Sequence, residues 1–230
     1  MPMGLRVAID LDGTVADLSR AMHGIAKKKF RRLQTPEGVA PAAPSAGALP
    51  ADRPRLHDLE LSPSDLDRLW VHVLKQKNFW TTLDEMAEGI VARIQQLADE
   101  RRWDVLFITT RPTAAGATTQ VQTQEWLAAR GFRHPRVYVV KGSRGKVAAA
   151  LHLDAVVDDR PENCLDVASE SRAKALLVWP GPRDALGPGV TSLGVVVTPS
   201  IGQALDELVH LDRVKRGGVV RSIKRLLGKH

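Results

Sequence analysis

From residue 84 to residue 211 the sequence alternates between stretches of helical periodicity and short apolar runs, and this alternation constrains the fold more than any other feature. Helical patterns fall at 84–101, 118–130, 142–151, 161–171 and 200–211, and apolar runs that read as strands fall at 103–109, 136–140, 155–157, 173–179 and 195–197. An earlier run, 5–10, reads as a buried strand, because Leu5, Val7, Ala8 and Ile9 precede an abrupt change to acids and glycine. Strands and helices in turn predict an α/β class with a mostly parallel sheet covered by helices on both faces, a Rossmann-like three-layer α/β/α core.

Residues 18–82 interrupt the pattern with helices and loop but no strand. One helix is expected from 15 to about 33. The stretch 35–54 then carries Pro36, Pro41, Pro44, Pro50 and Pro54 among alanines and glycines, which sustain neither a helix nor a central strand. A second helix opens at Ser62-Pro63-Ser64-Asp65, with an N-cap, a first-turn proline and an acid in the third position. Leu66, Leu69, Trp70, Val73 and Leu74 would share its apolar face. An insert after the first strand would sit over the carboxyl end of the sheet, where open α/β folds bind ligands. The expected organisation is a core of 1–17 and 83–212, a small helical insert of 18–82 and a tail of 213–230.

The tail holds the whole net charge. Lys and Arg exceed Asp and Glu by seven, and Arg213, Lys215, Arg216, Arg221, Lys224, Arg225 and Lys229 follow one another without an acid, so residues 1–212 are formally neutral. The body is therefore not a basic nucleic-acid-binding domain by charge. Val219, Val220, Ile223, Leu226 and Leu227 would line one face of a tail helix, a pattern that fits a membrane surface, nucleic acid, a protein partner or a solvated helix. A second basic run, Lys27 to Arg32, lies on the first helix. No run reaches the ~18–20 apolar residues of a membrane span, and Arg6, Asp10 and Asp12 occupy the region where a signal peptide would be apolar, so the expectation is a cytoplasmic protein or at most a peripheral one. Cys164 is the only cysteine, which excludes an intramolecular disulfide and a multi-cysteine zinc site and leaves oxygen ligands for any metal.

Carboxylates end two of the strands. Asp10-Leu11-Asp12-Gly13-Thr14 closes the first, and Asp158-Asp159 closes the run at 155–157. Either pair alone also fits a helix cap or an Asp-Gly turn. If the two strands are parallel neighbours, three or four carboxylates meet at one sheet edge, where their repulsion calls for a hard divalent cation; Mg²⁺ fits, because it takes oxygen ligands and leaves room for a substrate phosphate. Thr109 and Thr110, at the end of the second strand, would put a hydroxyl and a backbone amide at the same edge, with Arg111 beside them. Lys146, in Gly142-Ser143-Arg144-Gly145-Lys146 at a helix start, would supply a fixed positive charge.

These four elements, in this order, resemble the haloacid dehalogenase-like hydrolase superfamily over about residues 4–180. Asp10 to Thr14 match its first motif, Thr109/Thr110 the second, Lys146 the third and Asp158-Asp159 the fourth. Asp10 to Asp17, Phe79-Trp80, the run Phe107-Ile108-Thr109-Thr110-Arg111-Pro112, and Asp158-Asp159-Arg160-Pro161 look like its 5′(3′)-deoxyribonucleotidase-like branch, whose helical cap follows the first motif. The chain departs from that branch at Arg111, where a serine is typical, and Thr-x-Arg also resembles polynucleotide phosphatases more loosely.

The resemblance implies a magnesium-dependent phosphomonoesterase in which Asp10 is the nucleophile and Asp12 the general acid and base. Asp10, the backbone carbonyl of Asp12 and one or both of Asp158 and Asp159 would hold the metal, and Thr109 and Lys146 the phosphoryl oxygens. Thr109 is preferred to Thr110 as the motif residue. Thr110 and Arg111 are candidate substrate contacts, Arg111 foremost, and Phe30, Trp70, Phe79 and Trp80 are candidates for stacking on a base or for core packing. The expected substrate is a nucleoside monophosphate or another small phosphate ester. A phosphatase acting on RNA or DNA ends and a non-catalytic scaffold or membrane-surface protein using the basic tail are the competing readings.

Overall fold

The computed structural model describes residues 4–29 and 61–226, and side chains as far as residue 218. The Pro/Ala-rich stretch 35–54, Phe30 and the end of the first expected helix lie outside the described residues, as do the side chains of the apolar residues of the tail.

Among the described residues six strands form one sheet. They are β1 (Arg6–Asp10), β2 (Asp104–Thr109), β3 (Val137–Val139), β4 (Ala155–Asp158), β5 (Lys174–Val178) and β6 (Val196–Thr198), in the order β3-β2-β1-β4-β5-β6. The registers β1 with β4, β2 with β3, β4 with β5 and β5 with β6 are parallel, so the α/β class read from the alternation is the class observed. After β3 the chain returns to the other side of β1, which makes β1 and β4 the strands at which the order reverses. In such sheets the crevice outside the carboxyl ends of those strands is the ligand site.

Among the described residues eight α-helices accompany the strands: α1 (Leu18–Lys29), α2 (Pro63–Leu74), α3 (Ile90–Arg101), α4 (Thr119–Ala129), α5 (Arg144–Ala150), α6 (Pro161–Glu170), α7 (Pro188–Ser192) and α8 (Ile201–Leu226). The described residues divide into two compact units, one of 4–9, 92–106 and 142–226, the other of 10–29, 61–91 and 107–141. In the first, α5 packs on α6, α6 on β4 and β5, and α8 on β5 and β6. The first helical contact is so close that a Cβ at Gly145 would lie 2.3 Å from the carbonyl oxygen of Asp166. In the second unit α4 packs on β3 and α1 on α2, with Leu18, Met22 and Ala26 of α1 and Leu69, Trp70 and Val73 of α2 buried.

Ser62 caps α2 as its sequence signature requires, since its Oγ accepts from the Asp65 N–H at 3.2 Å and donates to Asp65 Oδ2 at 2.8 Å. Helix α3 starts at Ile90, six residues later than its periodicity suggests. Gly89 is left-handed at φ 73°, and the Glu85 carboxylate accepts from the Gly89 and Val91 N–H groups at 3.1 and 2.8 Å. The acid ahead of the helix thus satisfies the first-turn donors that another turn would have used.

Helix α8 runs unbroken from Ile201 to Leu226, which joins the helix expected at 200–211 to the basic segment. Part of the tail's charge is spoken for within its own unit. Lys215 Nζ donates to Asp154 Oδ1 at 2.6 Å, and Arg216 Nε donates to Asp212 Oδ2 at 2.9 Å. Asp212 is buried and also accepts from Arg101 Nη1 at 3.2 Å. Among the described residues no helix is long and apolar enough to cross a membrane.

Candidate active site

The first motif is folded around one carbonyl. Leu11 O accepts from the N–H groups of Thr14, Val15 and Ala16 at 3.2, 2.8 and 2.7 Å. Gly13 takes φ 91°, a left-handed conformation that an L side chain rarely adopts. The tight loop leaves Asp10 at the end of β1 and Asp12 just beyond it, both buried.

The second motif ends β2. Thr109 is buried, and its Oγ1 accepts from the Arg111 N–H at 3.2 Å, which leaves the hydroxyl proton for another acceptor. Thr110 is half-buried. The side chain of Arg111, expected as a substrate contact, is fully enclosed: it is 0% exposed, against 4% for that of Asp12. Its Nε donates to Asp12 Oδ1 and Oδ2 at 3.0 and 2.9 Å, Nη2 to Oδ1 at 2.7 Å, and Nη1 to Thr123 Oγ1 at 3.0 Å. The guanidinium carbon lies 4.9 Å from the Trp80 ring centroid and 5.9 Å from that of Trp126. Each indole is anchored in turn, Trp80 Nε1 on Pro112 O at 3.1 Å and Trp126 Nε1 on Leu83 O at 2.7 Å. Trp70, Phe79 and Trp80 are all buried, so each is packed in the core.

The third and fourth motifs lie in the other unit. Ser143 caps α5, its Oγ accepting from the Lys146 N–H at 2.9 Å, and the Lys146 side chain is exposed. The buried cation of that turn is Arg144, whose Nε lies 3.8 Å from Asp158 Oδ2. Asp158 itself is buried. It accepts from the Arg160 N–H at 2.9 Å and from Asn163 Nδ2 at 3.0 Å on Oδ1 and 2.9 Å on Oδ2. Burial pushes its carboxyl above the usual carboxylate range, opposed by Arg144, by these hydrogen bonds and by the Arg160 charge.

β1 and β4 pair with Ile9 opposite Val157, so Asp10 and Asp158 come next in register. One carboxylate oxygen from each of Asp10, Asp158 and Asp159 lies within 4.8 Å of the other two. An all-carboxylate donor set in which burial already disfavours the charge on Asp158 fits a hard divalent cation. Asp12 is not one of the three, and both of its carboxylate oxygens accept from Arg111.

Four residues that sequence reasoning passed over belong to this description. Arg144 was legible in principle: it shares an inward helical face with Ala148, also buried, whereas Lys146 falls on the outer face with Ala149 and Ala150. Asn163 stands two residues after a first-turn proline and reaches back to the strand end. Thr123 and Trp126 carry no local signal, because only the fold brings α4 to Arg111.

A family model described as 5′ nucleotidase, deoxy (pyrimidine), cytosolic type C protein matches residues 4–178. A haloacid dehalogenase-like family hydrolase from Streptococcus pneumoniae superposes with a TM-score of 0.50 at 15% identity, covering 88% of this chain and 97% of the other, and supports the fold. A hydrolase from Pseudomonas syringae superposes with a TM-score of 0.47 at 16% identity, covering 91% and 98%. No curated protein matches the sequence.

Proposed function

Because the chain belongs to the 5′ nucleotidase, deoxy (pyrimidine), cytosolic type C family of haloacid dehalogenase-like phosphatases, we propose that it is a magnesium-dependent phosphomonoesterase. It acts on nucleoside monophosphates or another small phosphate ester through an aspartyl-phosphate. The observation that supports this reading most is the meeting of Asp10, Asp158 and Asp159 oxygens within 4.8 Å, where the strand order reverses.

Asp10 is the nucleophile. One of its carboxylate oxygens attacks phosphorus, the bond from phosphorus to the leaving oxygen breaks, and a proton passes from Asp12 to that oxygen. Water then attacks the phosphorus of the aspartyl-phosphate, Asp12 takes the water's proton, and the bond to Asp10 breaks. Inorganic phosphate leaves and both carboxyl groups return to their starting states. Oδ1 of Asp12 accepts two N–H groups of Arg111 and Oδ2 shares one of them, so Oδ2 has the room to carry the proton. Thr109 donates its hydroxyl to a phosphoryl oxygen, with Thr110 beside it, and Lys146 supplies a cation. A divalent ion held by Asp10, Asp158, Asp159 and the Asp12 carbonyl would offset the repulsion between a carboxylate nucleophile and a phosphate dianion.

The test is phosphate release from nucleoside 5′- and 3′-monophosphates, sugar phosphates and phosphorylated oligonucleotides, with and without Mg²⁺. Metal-dependent turnover of mononucleotides that Asp10→Asn abolishes in a folded protein is the expected result. Residual turnover in that variant would refute the nucleophile assignment, and a preference for oligonucleotides would overturn the small-substrate reading.

A further inference from the structure

The geometry points to Arg111 as the positioning residue of Asp12, an inference that rests on the phosphomonoesterase reading and replaces a substrate contact with a role behind the acid/base group. A residue that grips substrate needs donors facing the site, whereas each of the three Arg111 side-chain nitrogens is already bonded within the protein. Its side chain is 0% exposed, its Nε and Nη2 are turned to Asp12, and its Nη1 is turned to Thr123. Thr123 is the far anchor. Its Oγ1 donates to Thr119 O at 2.7 Å on α4, so its lone pairs face the guanidinium and set the orientation of the fork. The guanidinium lies over the rings of both Trp80 and Trp126, and the Arg111 backbone N–H is tied to Thr109. The contacts that fix this arginine all come from the protein itself, through Asp12, Thr123, Thr109 and the two indoles.

Two consequences follow for the reaction. The Asp12 carboxylate is held in one rotamer by a fork that fits carboxylate geometry, which a single ammonium would not reproduce. The same Arg111 main chain is bonded to the Thr109 hydroxyl, so the acid/base group and the phosphate-facing threonine are set by one residue. Loosening Arg111 therefore degrades proton delivery to the leaving group and leaves phosphate binding nearly as it was.

The experiment compares wild type, Arg111→Lys and Thr123→Val on two esters, a nucleoside monophosphate and p-nitrophenyl phosphate, whose leaving group needs no proton. Binding of inorganic phosphate is measured alongside by calorimetry. For Arg111→Lys, kcat/KM on the nucleotide is expected to fall about 100-fold and on the nitrophenyl ester less than about 10-fold, on the scale of general acid catalysis. Phosphate affinity should stay within about 3-fold, because a group placed behind Asp12 gives no differential contact to the phosphoryl oxygens. Equal losses on both esters, or a tenfold loss of phosphate affinity, would make Arg111 a substrate contact and overturn the inference. If Arg111→Lys does not fold, Thr123→Val, which leaves the ion pair in place, should show the same selective loss at about 3- to 10-fold; equal or absent effects in a folded Thr123→Val protein would also overturn it. Failure of wild type to turn over either ester would instead remove the phosphomonoesterase reading beneath it.

Discussion

Arg144 and Asp158 face each other at 3.8 Å with both side chains almost completely buried. Burial disfavours the charged form of the Asp158 carboxyl, and the Arg144 charge beside it offsets part of that cost.

Replacing Arg144 with Met is therefore expected to cost stability, about 3–5 kcal/mol if Asp158 is left charged. Lys146→Met should leave the melting temperature unchanged, since the side chain is exposed, and should raise the inhibition constant of inorganic phosphate about tenfold if Lys146 is the phosphate-facing cation. Thermal melts and phosphate inhibition on the two variants separate the roles. Loss of phosphate affinity in Arg144→Met with an unaltered Lys146→Met would move the cationic role to Arg144.

Metal removal should show itself as a pH-dependent stability. Burial raises the Asp158 carboxyl above its ordinary value of 3.8, so in the metal-free folded protein it keeps a proton that the unfolded chain has already lost. The folded state then binds more protons, and stability falls as pH rises from the unfolded value through the raised one. Melts in EDTA should decline across that window and Asp158→Asn should flatten the decline. Added Mg²⁺ should raise the melting temperature more at pH 8 than at pH 5, since the ion competes with the proton; about 100 times its Kd would contribute about 2.7 kcal/mol.

Gly145→Ala tests the closeness of α5 to α6. The new Cβ would meet the Asp166 carbonyl oxygen at 2.3 Å and Glu170 Cβ at 2.6 Å, and the Gly145 N–H that donates to Asp166 Oδ2 at 2.8 Å would have to move with it. A loss of at least about 1–3 kcal/mol in denaturant melts is expected. A neutral result would show that the helices can separate without cost.

Removal of residues 214–230 tests the described part of the tail. The truncation deletes the Arg216 bond to buried Asp212 and the Lys215 bond to Asp154, and a loss of about 1–3 kcal/mol is expected, mostly from Asp212. Phosphate release from mononucleotides should be unchanged. A steep fall in salt-dependent affinity for oligonucleotides on truncation would instead show that the tail reads nucleic acid.

Short apolar runs alternating with helical periodicity determined the α/β class, because a strand that ends in Asp10 and another that ends in Asp158 can be recognised from local chemistry alone. The first-motif loop was equally legible, since Asp-Leu-Asp-Gly-Thr requires a glycine at the positive φ that Gly13 adopts. Strand order was not legible, and it is the order β3-β2-β1-β4-β5-β6 that makes Asp10 and Asp158 neighbours across 148 residues of chain. The place of Arg111 was decided later still. Next to Thr109 and Thr110 it reads as a hand held out to substrate, but α4 and the Phe79-Trp80 turn bring Thr123, Trp126 and Trp80 around it and turn it back onto Asp12. A residue's type is written in the chain; which partner satisfies a buried guanidinium depends on contacts between segments far apart in sequence, and only tertiary packing selects among them.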